Sequence, residues 1–354
     1  MSEIANRVSE YDFFVITARM KKNLPKRERI GNAEVLRIGF GYVFLDKILS
    51  PFWGAVLTRK LIKEHNVKLF WSLMVTFTSG APFLLKMFRL NKNIPILLTL
   101  QEGDSERHLK FSNLGLTGLA WFFAVRMADR IQVISNYLKD YAVRIGARCA
   151  IDVAPNGVDL GKAQAANRKE QIASGKVVIT VSRLVHKNGI DVLINAVVKV
   201  AKKIPDVQLW ILGGGEDEAK LKDLAKKFNI EENVKFFGEI RNEKVYEYLA
   251  RADVFARPSR SEGLGTSFLE AMAAGLPIIG TPVGGIQDFL RDNETGLFCN
   301  VDDPQNLADK ILQLLNNGAL RREMASQGRN LALQRYSWGR IAGQMKSIFD
   351  KMIL

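Results

Sequence analysis

The chain has 354 residues, 47% of them hydrophobic and 25% charged, with a formal net charge of +14. That length exceeds what one hydrophobic core usually serves, and no stretch of about 18 uncharged apolar residues offers a membrane span, so two globular domains are expected and an integral membrane protein is not. Two distant cysteines, Cys149 and Cys299, make no framework of bridges. The opening MSEIANRVSEYDFF lacks the order of a secretory signal, so a cytoplasmic protein is expected.

In chain order, strand-like runs appear at YDFFVITAR, AEVLRIGF, KLFWSLM, IPILLTL and DRIQVIS, with helical patterns around residues 45–64, 81–90 and 116–128. The segment GYVFLDKILSPFWGAVLTRKLIK mixes bulky apolar and basic residues. It reads either as an amphipathic helix lying on an anionic membrane or as a helix packed on a sheet with a basic outer face. Most of the positive excess falls within the first 170 residues, which favours an anionic partner. A membrane face is preferred to nucleic acid because no nucleic-acid-binding motif accompanies the charge. Pro155-Asn156-Gly157 begins a polar, alanine-rich stretch that reads as a linker, which sets domains at 1–160 and 161–336 and a closing helix at 337–354. From residue 176, KVVITVSRL, GIDVLINAVVKVAKKIP, VQLWILGGG, EDEAKLKDLAKKF, VKFFGEI and PIIGTP alternate strand and helix, the pattern of a parallel sheet covered by helices. No repeat of 20–50 residues and no low-complexity tract is present.

The segment RPSRSEGLGTSFLEAMAAGLPIIGTPVGG, residues 257–285, reads as strand, glycine loop, helix and strand. Gly263 and Gly265 let the backbone approach a ligand, while Thr266 and Ser267 open a helix whose free N–H groups suit a diphosphate. Glu262 and Glu270 bracket that cradle, one within reach of a sugar ring and the other of a ribose. In VSRLVHKNGIDVLINA, Arg183 and Lys187 can converge on a departing diphosphate and stabilise its charge without a metal.

The first of these segments resembles the E-x7-E signature of glycosyltransferase family 4, the retaining enzymes of the GT-B fold, and the second resembles that family's Arg-x4-Lys-Gly element. In the second, the family lysine falls on Asn188, and the lysine here stands one position earlier. The resemblance implies an α/β fold of GT-B architecture, two doubly wound Rossmann-like domains facing across a cleft. It implies transfer of a hexose from a nucleotide-diphosphate sugar to a glycan or lipid-linked acceptor, with no metal and no cofactor. Glu262 would contact the hexose and Glu270 the ribose, and Gly265, Thr266, Ser267 and Asn188 would help to hold the donor. Ile240, after VKFFGEI, would meet the nucleobase.

Toward the N-terminus the pattern thins. Gln101 stands where the family has a histidine, with Glu102 beside it and Asp104 two positions further, so a base would be Glu102 or the leaving phosphate. His108 is near in sequence; His65 and His186 have no partner pattern. The opening residues already resemble the family's first helix and second strand, so the first strand and its glycine loop are expected to be missing. That departure keeps a non-catalytic nucleotide-sugar binder, or a truncated transferase of impaired activity, as the alternative reading. A peripheral position at the inner face of the cell membrane follows from the charge.

Overall fold

The computed structural model describes residues 1–75, 77–91, 93–104, 116–167 and 176–353, which divide into two units, Met1–Pro155 with Trp338–Leu354 and Asn156–Ser337. The division falls at residue 155 rather than 160. The closing helix belongs to the first unit.

In the first unit, α1 (Ser2–Ala5), β1 (Phe13–Ala18), β2 (Arg27–Ile30) and β3 (Ala33–Ile38) precede the long α2 (Val43–Glu64). β4 (Phe70–Leu73), α3 (Ala81–Met87), β5 (Ile96–Leu100), α4 (Leu116–Met127), β6 (Arg130–Val133), α5 (Asn136–Arg144) and β7 (Ala150–Val153) follow. These strands form two separate ladders instead of one sheet. The first has the order β1-β3-β2, with β1 parallel and β2 antiparallel to β3; the second has the order β4-β5-β6-β7, all parallel. β5, whose five residues are all buried, shows why a run such as ILLTL becomes an interior strand, since a parallel sheet is covered on both faces. β2 carries the sequence RERI and is mostly exposed, so neither alternation nor an apolar run announces it.

The second unit begins with α6 (Leu160–Asn167), a helix within the expected linker, where Ala163 and Ala166 are buried. β8 (Val177–Val181), α7 (Ile190–Ala201), β9 (Gln208–Leu212), α8 (Glu218–Lys227), β10 (Val234–Gly238) and α9 (Asn242–Leu249) come next. Then follow β11 (Val254–Arg257), α10 (Thr266–Ala273), β12 (Ile278–Gly280), β13 (Gly296–Phe298), α11 (Pro304–Asn316) and α12 (Gly318–Arg335). Six parallel strands run in the order β10-β9-β8-β11-β12-β13, so the winding reverses at β8. This is the doubly wound arrangement expected from the alternation, and its ligand crevice lies at the carboxyl ends of the strands beside the reversal. Helical spacing explains the cover: Ile190, Leu193, Ile194, Val197 and Val200 of α7 form one buried face. Asp303 caps α11 by accepting from the N–H groups of Gln305 and Asn306, with Pro304 in the first turn.

The final helix, α13 (Trp338–Ile353), buries Ile341, Met345, Ile348 and Phe349 in a cluster with Ile4, Val8 and Leu97 of the first unit. No helix among the described residues is long and apolar enough to cross a membrane.

Candidate functional site

The site lies at the carboxyl edge of the second unit's sheet, where neighbouring strands β8 and β11 end in two loops that hold each other. The Lys187 carbonyl accepts from Arg260 N at 2.7 Å and from Ser261 N at 3.4 Å. Arg260 clamps the same loops from outside. Its guanidinium donates to both oxygens of Asp191 at 2.9 and 2.7 Å, to Asp302 at 2.7 Å and to the His186 carbonyl at 2.6 Å. Burial opposes ionisation of Asp191, but the Arg260 hydrogen bonds outweigh it and hold the carboxyl below its usual range.

Every residue of β11 is buried, including Arg257 at its end. Such a charge needs partners. The Arg257 guanidinium pairs with Glu262, donates to Ser267 Oγ at 2.8 Å and to Ser259 Oγ at 3.2 Å, and lies over the Phe268 ring. The second oxygen of Glu262 accepts from Gly263 N at 3.1 Å, so the carboxylate is held at both ends. The turn at Gly284 closes on the same residue. Gly284 adopts φ +53°, and a Cβ there would collide with the Glu262 carbonyl, which accepts from Gly285 N at 3.3 Å.

Gly265 forms the N-cap of α10 with φ +90° and ψ +56°, a left-handed conformation that aims the amides of Thr266 and Ser267 out of the helix end. One turn into α10, the Glu270 carboxyl has no hydrogen-bond partner among the described residues. Burial pushes its carboxyl up to about 7, while Arg257 and Lys162 pull it down by less. A half-buried carboxyl beside a helix N-terminus can accept from ligand hydroxyls, and the amides of that terminus can donate to an anion's oxygens.

The second unit therefore brings Glu262, Gly263, Gly265, Thr266, Ser267 and Glu270 together with the loop holding Arg183, Lys187 and Asn188. Arg183 is exposed. Asn188 is buried, and its amide donates to the Arg183 carbonyl at 2.6 Å, so it braces the loop instead of presenting itself to a donor. Ile240, half-buried, follows β10 on the same sheet edge. His186 is exposed beside Arg260.

Gln101, Glu102 and Asp104 belong to the first unit, at the end of β5. Glu102 is buried, and its two oxygens accept from Val75 N at 3.0 Å and Gln101 N at 2.9 Å. Burial pushes its carboxyl up and those amides oppose the shift. This is a brace between the ends of β4 and β5, which sets Glu102 apart from the base it was expected to offer and leaves that role to the departing phosphate. His65 stacks on Phe14 at 4.6 Å, a packing role, and His108 lies outside the described residues.

Arg257 was not singled out from the sequence. The signal was present: a charged side chain ending an apolar strand directly before Pro258 must find a buried partner, and Glu262 is five residues away.

The chain matches the description "Glycosyltransferase Family 4" over residues 7–162 and "Glycosyl transferases group 1" over residues 163–331. It is 32% identical over 316 residues to the lipopolysaccharide core biosynthesis glycosyltransferase LpsE of Rhizobium meliloti, covering 88% of this chain and 83% of that one. It is 28% identical over 308 residues to a GDP-mannose-dependent alpha-(1-6)-phosphatidylinositol monomannoside mannosyltransferase of Mycobacterium tuberculosis, covering 82% of this chain and 77% of that one. Among solved structures, sucrose-phosphate synthase from Thermosynechococcus elongatus superposes with a TM-score of 0.85 at 23% identity, over 99% of this chain and 91% of the other. Anabaena HepE, solved with UDP and glucose, superposes with a TM-score of 0.73 at 21% identity, over 91% and 86%.

Proposed function

Because the chain belongs to glycosyltransferase family 4, we propose that it moves a hexose from a nucleotide-diphosphate sugar to a glycan or lipid-linked acceptor, with retention and without a metal. The observation that carries this reading is the pair Glu262 and Glu270 on either side of the α10 N-terminus. One carboxylate is locked by Arg257, and the other is half-buried and open to hydroxyl donors. The diphosphate would rest on the amides of Gly265, Thr266 and Ser267, with Arg183 and Lys187 meeting its charge as the bond to the sugar's C1 breaks. The acceptor oxygen forms its bond to C1 on the same face, and its proton passes to the departing phosphate. Glu102 is left as a brace.

The relatives are named as transferases, one of them GDP-mannose-dependent, which favours transfer over binding without turnover. Their names, which refer to a phosphatidylinositol monomannoside and to lipopolysaccharide core biosynthesis, also support a peripheral position on an anionic membrane face. In this chain α2 provides the surface. Over its first four turns the inward face is small or polar (Asp46, Ser50, Gly54, Thr58) and only the last turn buries Leu61 and Ile62, whereas Leu45, Ile48, Phe52 and Val56, spaced three and four apart, point outward with 44–71% exposure. Arg59 and Lys63 extend that stripe as cations.

Saturation-transfer NMR of the 354-residue protein against GDP-mannose, UDP-glucose, UDP-N-acetylglucosamine and ADP-glucose, with EDTA present, tests the donor assignment. Signals on the ribose and hexose protons of one donor are expected. Glu262→Gln should keep that binding while losing turnover. Binding of none of the four, or binding that requires manganese, would overturn the assignment.

A further inference from the structure

The guanidinium of Arg257 carries its N–H donors in one fixed plane, and the fold directs them to three places. Nε–H donates to Ser259 Oγ at 3.2 Å. One terminal nitrogen donates to Ser267 Oγ at 2.8 Å and to the Val181 carbonyl at the end of β8 at 3.4 Å, while the other pairs with Glu262. The Phe268 ring closes the plane from one side, 4.7 Å from the guanidinium carbon. Gly265 leaves the room for this. A Cβ there would lie 2.9 Å from Phe268, 3.3 Å from the guanidinium and 3.4 Å from Cγ of Glu262.

Stability alone does not ask for a buried ion pair at this position, since well-packed apolar side chains of similar volume usually serve as well or better. What the guanidinium adds is direction. One oxygen of Glu262 accepts from Arg257 and the other from Gly263 N at 3.1 Å, so the carboxylate plane is fixed and each oxygen keeps one lone pair. Two lone pairs on a fixed plane match two neighbouring hydroxyls of a sugar ring. Ser267 Oγ accepts from Arg257, which turns its own proton away from the guanidinium, and no group among the described residues accepts that proton. Ser267 is the second residue of α10, whose first amides point out of the same helix end.

We propose that Arg257 is the positioning residue of the donor site. It fixes the Glu262 carboxylate for two hydroxyls of the transferred sugar and turns the Ser267 hydroxyl onto the diphosphate, adding a side-chain contact to the backbone amides there. Arg257 acts through these two side chains and touches neither sugar nor phosphate. The role rests on the sugar-nucleotide reading given above. Lysine cannot fill it, because one ammonium cannot hold Ser259, Ser267 and Glu262 in a single plane.

Two double-mutant cycles on the 354-residue protein test the assignment. Titration calorimetry with UDP, GDP and ADP reads the diphosphate contact, and release of nucleoside diphosphate from GDP-mannose, UDP-glucose, UDP-N-acetylglucosamine and ADP-glucose in water reads turnover. Ser267→Ala should weaken the diphosphate by about tenfold, the loss of one hydrogen bond to a charged group. Arg257→Lys should lower turnover at saturating donor by about tenfold to a hundredfold, while weakening the nucleoside diphosphate no more than Ser267→Ala does. Combined with Ser267→Ala, it should bind as Ser267→Ala alone; combined with Glu262→Gln, it should keep the residual turnover of Glu262→Gln alone. Melting temperatures are measured alongside. If Arg257→Lys does not fold, Ser259→Ala, which removes only a hydroxyl behind the guanidinium, replaces it in both cycles with the same couplings and a turnover loss of about threefold or more. Losses that multiply in the double variants overturn the proposal, as does wild-type turnover in the folded variant, and Arg257 is then a structural ion pair. A wild-type protein that binds none of these nucleotides overturns the donor reading itself, so the two failures are told apart.

Discussion

Glu270 sits where burial and ligand recognition pull its carboxyl in opposite directions. Burial raises it from 4.5 to about 7. Between those values the unfolded chain releases the proton while the folded chain keeps it, so stability conferred by the protonated form is fully present below about pH 4.5 and is lost as pH rises through 7. Ribose hydroxyls donate only to the ionised form with full strength, so nucleotide binding should expel the proton and strengthen as pH rises from about 6 to 8. Glu270→Gln should flatten both slopes and weaken the nucleotide by roughly tenfold to a hundredfold, the range for one hydrogen bond to a charged group. Calorimetry in buffers of different ionisation enthalpy measures the released proton directly; a mutant with wild-type affinity and slope would remove Glu270 from the site. The two glutamates were legible because their spacing, the glycines between them and the helix that follows state one geometry. Arg257 and Asn188 were not, because a side chain's partner is a tertiary fact. Asn188 spends its amide on the Arg183 carbonyl, and nothing in the string VHKNG distinguishes that from a ligand contact.

At the scale of an element, α2 shows how a sequence can state composition without orientation. Apolar side chains surround much of this helix, and the buried face is chosen by what fits against its neighbours, with Asp46 drawn inward because it caps the loop through the N–H groups of Phe40, Gly41 and Tyr42. Leu45, Ile48, Phe52 and Val56 are left outside, and only near its end does the helix bury bulky residues, Leu61 and Ile62. A contiguous outward stripe of this kind is uncommon on a surface that meets only water. Phe52→Ser combined with Val56→Ser should therefore leave the melting temperature nearly unchanged while lowering partition onto vesicles containing phosphatidylglycerol by at least about tenfold, since each buried side chain of this size contributes roughly 1.5–3 kcal/mol. Arg59→Glu with Lys63→Glu should weaken binding in low salt and matter less at high salt. Vesicle flotation measures both, and unaltered partition of the serine variant would place the contact elsewhere. Other elements were hidden for different reasons. β2 is a polar strand formed only because β3 offers it an edge, and α6 lacks an apolar period because alanines suffice for its contacts.

At the scale of the whole molecule, alternation of strands and helices made the second unit's doubly wound sheet readable, since every connection there but the one from β10 to β11, where the winding reverses, is a crossover between parallel neighbours. The first unit follows the same alternation but not the same closure, because pairing between β1 and β4 depends on what lies between them. The two units should consequently differ in stability. The second has one continuous six-stranded ladder with both faces covered, whereas the first is split into two ladders, with two further unpaired edges at β1 and β4 and a cavity of about 640 Å³ lined by both strands, which removes contacts from its core. Scanning calorimetry is expected to show two transitions, the first unit melting at the lower temperature. A nucleotide at about 100 times its dissociation constant should stabilise only the second unit, by about 2.7 kcal/mol, and raise the upper transition by roughly 5–10 °C. A single transition that the nucleotide shifts as a whole would show that the gap in the first unit has no thermodynamic consequence, and that its two ladders are as stable apart as a continuous sheet.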